Sequence, residues 1–96
     1  MAETQGHLGI VYAIQDRADK AEDALISALQ INTELSRKAH QADNYGNLAN
    51  LYWSQGMLQE AGTCYERALV LFKETGNRVK ARKVRELLDS LRATHP

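Results

Sequence analysis

Apolar residues along this chain recur three and four apart and do not alternate. Leu8, Val11 and Tyr12 form one such stripe, and Ala21, Leu25, Ala28, Leu29 and Ile31 form the next. Tyr45, Leu48, Ala49 and Tyr52 form a third, and Ala61, Tyr65 and Ala68 a fourth. Spacing of this kind places side chains on one face of an α-helix, whereas a strand would show a period of two. Polar breaks separate the stripes at Gln15-Asp16-Arg17 and at Ser54-Gln55-Gly56-Met57. Gly56 suits the left-handed residue that ends a helix, and Asp16 adopts it at a small cost. The pattern predicts paired helices joined by tight turns.

The stripes repeat. Shifting residues 1–40 onto 41–80 aligns Ala2 with Ala42, Gly6 with Gly46, Leu8 with Leu48, Tyr12 with Tyr52 and Gln15 with Gln55. Farther on it aligns Ala21 with Ala61, Ala28 with Ala68, Leu29 with Leu69 and Glu34 with Glu74, and the same shift carries Leu48 and Leu51 onto Leu88 and Leu91. A fixed period is the mark of a stacked repeat array. The expected architecture is all-α: an α-solenoid of two helix-turn-helix units, about 2–40 and 42–75, plus a capping helix at about 78–93, five helices in all. In the last helix, Val84, Leu88 and Leu91 are expected to cover Leu69 and Phe72, leaving its charges outward. Small residues at Ala49, Ala61 and Ala68 would let helix backbones approach closely.

Tyr45, Leu48, Ala49, Tyr52, Gly56, Ala61, Tyr65 and Ala68 resemble, in type and spacing, the signature of the tetratricopeptide repeat. The resemblance is strong over 42–75 and weaker over 2–35, where Gln5 and Leu25 replace aromatics. The 40-residue period, longer than the usual ~34, is similar to that of kinesin-light-chain and Pins/LGN-type repeats and of bacterial arrays. The resemblance implies a non-catalytic module that binds an extended peptide or partner helix in a concave groove. That groove would be lined by the first helix of each unit. On this basis the candidate binding residues are Asp43, Asn47, Asn50, Trp53 and Ser54 in the second unit, with His7, Ile10 and Ile14 in the first. Asn47 and Asn50, three apart, share a face, and each carboxamide offers the donor and acceptor that a peptide backbone needs. Trp53 adds an amphipathic anchor outside the core stripe.

A competing reading is structural self-association into a homo-oligomer. Ser36-Arg37 stands where the second unit has Gly76-Asn77, and neither Gly nor Pro occurs from Val11 through Tyr45. A weak stop at this point would let the second helix run into the third and permit a domain-swapped dimer. On that reading, Ser36→Gly favours the monomer.

Composition narrows the field. The chain has 96 residues, 44% hydrophobic and 25% charged, which suits one small domain. Net charge is zero but unevenly spread: residues 1–60 hold four basic and eight acidic side chains, and residues 61–96 the reverse. Lys80, Arg82, Lys83 and Arg85 give the last helix a basic face, read as a solvated outer surface, since no interleaved aromatic suggests nucleic-acid binding. The lone Cys64 permits no internal disulfide, and the scattered His7, His40 and His95 suggest no metal site. No cofactor motif, phosphate loop or nucleophile elbow is present, so an enzyme is not expected. No membrane-spanning window or basic leader occurs, which makes a reducing cytoplasmic setting the expectation.

Overall fold

The computed structural model describes residues 18–94. They form four helices of equal length: α1 (Ala18–Glu34), α2 (Lys38–Ser54), α3 (Leu58–Glu74) and α4 (Arg78–Thr94). Each has 17 residues, a rod of about 25 Å. The described residues contain no strand. The expected helix over the first residues of the chain, with His7, Ile10 and Ile14 on it, lies outside the described residues.

Helices start every 20 residues because the three linkers are built alike. Each has three residues, and the middle one is left-handed: Ser36 at φ 56°, Gly56 at 77° and Gly76 at 74°. The C-terminal ends of α1, α2 and α3 are closed by the same pair of backbone hydrogen bonds. Arg37 N donates to Asn32 O at 2.9 Å and Ser36 N to Thr33 O at 3.1 Å. The equivalent pairs are Met57 to Tyr52 with Gly56 to Trp53, and Asn77 to Phe72 with Gly76 to Lys73. This is the Schellman arrangement, which satisfies carbonyls the helix leaves unpaired. The third linker residue then begins the next helix, since the carbonyls of Arg37, Met57 and Asn77 accept from Gln41, Ala61 and Ala81. Asn77 also caps α4 with its side chain, its Oδ1 accepting from Lys80 N at 3.1 Å.

The expected run-through from the second helix into the third does not occur. Ser36 closes a turn of the same form as the two glycine turns, because two backbone hydrogen bonds offset the cost of a left-handed serine.

Helices meet through small residues. Ala21, Ala28, Ala42, Ala49, Ala61 and Ala68 are all fully buried, which brings the helix backbones close together. One apolar cluster lies mainly between α3 and α4, where Tyr65, Ala68 and Phe72 meet Ala81, Val84, Leu88 and Leu91. Leu69 packs against it. A smaller cluster joins α1 to α2 through Ala21, Leu25, Leu48 and Leu51. Tyr52 and Cys64 border both clusters and make the core continuous. Exposed ion pairs, Lys38 with Glu74 at 3.0 Å and Arg92 with Glu66, trim the surface. Each contributes at most about 1 kcal/mol.

The turn at Ser36 yields a direct test. Ser36→Gly is expected to raise stability by about 0.5–1 kcal/mol, because glycine removes left-handed strain but adds unfolded-chain entropy. Gly56→Ala meets no neighbour at its new Cβ, since nothing lies within 4 Å, so its expected loss of about 1 kcal/mol comes from the backbone alone. Urea denaturation midpoints check both signs.

Candidate functional site: an open groove between α2 and α4

The helices α2 and α4 hold equivalent places in successive units, and a groove of about 180 Å³ lies between them. Three-and-four spacing on α2 puts Asp43, Gly46, Asn47 and Asn50 on the groove face. The facing wall comes from α4, through Lys80, Lys83, Val84 and Leu87, and Tyr65 and Phe72 of α3 contribute to the lining. The walls are tied at one point: Lys80 Nζ donates to Asp43 Oδ1 at 2.9 Å and stands 5.7 Å from the Phe72 ring centre. This ammonium therefore joins an ion pair to a cation–π contact.

The two groove asparagines differ in what they have left to offer. Tyr65, buried in the core, donates its hydroxyl to Asn50 Oδ1. That bond orients the Asn50 carboxamide and leaves its amide hydrogens facing outward as donors. Asn47 is half-buried, and its side chain spends neither its donor nor its acceptor on a hydrogen bond among the described residues. Lys83 is exposed and has no ion-pair partner among the described residues.

Trp53 is half-buried and packs edge-on against Tyr65, centroids 6.1 Å apart at 85°. Ser54 is exposed at the end of α2, where its hydroxyl donates to Leu51 O at 2.6 Å. Asp43 lies in the groove but is engaged by Lys80. His7, Ile10 and Ile14 fall outside the described residues.

All four basic residues of α4 are exposed, as a solvated face requires, but Lys80, Lys83 and Leu87 also line the groove, a place that the charge pattern alone does not give them. The signal was available: α4 is the third copy of the groove helix, and a 40-residue shift carries Asp43 onto Lys83 and Asn47 onto Leu87.

Burial raises the Tyr65 phenol above its ordinary range, and burial, then Glu22, does the same for Tyr52. Burial also raises the Cys64 thiol, partly countered by Arg67, which keeps it protonated and poorly nucleophilic at neutral pH. Among the described residues no three His, Cys, Asp or Glu side chains are grouped to hold a metal ion. No helix among them is long and apolar enough to cross a membrane.

The family model described as tetratricopeptide repeat matches residues 1–82. The chain belongs to the tetratricopeptide repeat family. Its 20-residue helix spacing thus forms tetratricopeptide hairpins, with α2 and α4 as the groove-lining helices of successive repeats. The crystal structure of BtubC (BKLC) from P. vanneervenii shares this fold, with a TM-score of 0.69 and 22% identity over 99% of the repeat chain. The chain spans 49% of that protein's length. No curated protein matches the chain.

The tyrosines generate a pH prediction. A phenol whose folded pKa is raised stabilises the fold fully below its unfolded value of about 10, and that contribution is lost as pH climbs toward the folded value. Urea midpoints are therefore expected to fall above about pH 10. Tyr65→Phe, which also removes the bond to Asn50, should reduce that alkaline slope.

Proposed function

We propose that this tetratricopeptide repeat module is a non-catalytic protein-interaction domain that holds an extended segment of a partner protein in the groove between α2 and α4. Membership of the family supports an interaction or scaffold role in general. The finer reading rests on one observation: Asn47, with its carboxamide unspent among the described residues, lines the same groove as Asn50, which Tyr65 orients. Two carboxamides on one helix face suit the carbonyl and amide groups of an extended backbone, whatever its side chains. The half-buried Leu87 beside them, backed by Phe72 and Val84, supplies an apolar surface for an aliphatic or aromatic side chain of the segment. Lys83, outside any ion pair among the described residues, adds a positive charge that favours an acidic residue in the occupant.

A displayed library of random peptides supplies the probe. The immobilised protein is expected to retain a set of sequences enriched in acidic and apolar residues. Asn47→Ala and Lys83→Glu should each weaken a retained peptide about tenfold or more, with an unchanged melting curve. Retention unaffected by either substitution would exclude the groove as the binding surface. Asn50 and Trp53 make poorer probes, since both contact Tyr65 and their loss would disturb the core.

A further inference from the structure

The interfaces α1–α2 and α3–α4 occupy equivalent places yet differ in chemistry. A shift of 40 residues carries Asn32, Gln41 and Asn44 onto Phe72, Ala81 and Val84. The second trio is buried in one apolar cluster. In the first, Asn32 and Asn44 are just as inaccessible, 1% and 5% exposed. Asn32 Nδ2 donates to Asn44 Oδ1 at 2.7 Å, and Gln41 Nε2 donates to the Asn32 carbonyl at 3.2 Å. Asn32 Oδ1 is shielded and has no hydrogen-bond partner among the described residues.

Burying amides where an apolar layer is workable costs stability, the more so with one acceptor unpaired. A polar layer does, however, impose a condition that an apolar layer does not. Apolar side chains of fitting size accept one another without regard to identity, whereas a buried carboxamide accepts only a surface with a matching donor or acceptor. The condition matters in a chain of similar units, because α4 presents nearly the same helix shape as α2.

We propose that Asn32, Gln41 and Asn44 form a matching layer that selects α2 as the helix on which α1 stacks and rejects α4. Stacked on α4, from the same chain or a second copy, Asn32 meets Ala81 and Val84, whose side chains neither donate nor accept. Stacked against α3 in place of α1, Asn44 meets Phe72 and loses its partner. Either slip by one 40-residue unit leaves a buried amide unpaired. The apolar layer supplies cohesion and the polar layer supplies order.

The test copies one layer onto the other. The triple variant N32F/Q41A/N44V is expected to melt at a higher temperature than the parent. In light scattering after size-exclusion chromatography it should show additional, concentration-dependent species beyond those of the parent at equal concentration. A triple variant with an unchanged mass distribution overturns the proposal. A second measurement holds even if the larger ring introduced at position 32 overpacks the layer: the cycle N32A, N44A and N32A/N44A. Each single change should raise the unfolding equilibrium constant about tenfold, since it strands the remaining amide, and the double change should raise it less than the product of the two. Strictly multiplicative effects would show that the two amides do not act as a pair, and would equally overturn it.

Discussion

A left-handed residue at positions 36, 56 and 76, each closed by two backbone hydrogen bonds, sets the geometry of everything else. Because all three turns have the same length and dihedral pattern, each helix leaves its predecessor in the same way. Equal 17-residue helices then stack in register, and equivalent positions on α2 and α4 come to face one groove. Had one turn been open, Asp43 and Lys80, 37 residues apart in sequence, would not meet. The serine at position 36 shows that closure is a property of the backbone pattern as much as of glycine: it forms the same bonds at φ 56°.

Within that frame, packing is a matter of subtraction. Fully buried alanines on facing helices bring the backbones together, and the few large residues, Leu25, Tyr65 and Phe72, fill what remains. Tyr65 does double duty, since its ring is core while its hydroxyl reaches the groove and fixes Asn50. The groove is thus not an addition to the fold. Its polar lining is partly held by the core, and its apolar lining is the half-buried Leu87 backed by the buried Phe72 and Val84 of the α3–α4 cluster.

Much of this was legible in the chain. Tyr45, Leu48, Ala49 and Tyr52 at helical spacing, repeated 40 residues apart, announced helices and their buried faces, and Gly56 announced a turn. The groove positions Asp43, Asn47 and Asn50 followed from the resemblance to the tetratricopeptide repeat, whose first helix lines the groove. Three features did not follow. Ser36 reads as a weak stop because local preference disfavours a left-handed serine, and only the closing hydrogen bonds to Asn32 and Thr33 decide otherwise. Trp53 reads as an open anchor, but its surroundings depend on Tyr65, which arrives from the next helix. Lys80 and Lys83 read as one face with Arg82 and Arg85, though helical geometry divides them once α3 claims Val84 and Leu88.

The sequence by itself determined periodicity: which residues share a helix face, where the glycine turns end helices, and that one unit is copied along the chain. These are local properties, governed by dihedral preference and by neighbours three or four residues away. Only the tertiary structure decided which faces meet. It set Lys80 against Asp43, gave Asn50 to Tyr65 while leaving Asn47 unspent among the described residues, and buried Asn32 against Asn44. Those outcomes depend on side chains 12 to 37 residues distant. A face has no fixed partner until a neighbouring helix excludes water from one side of it.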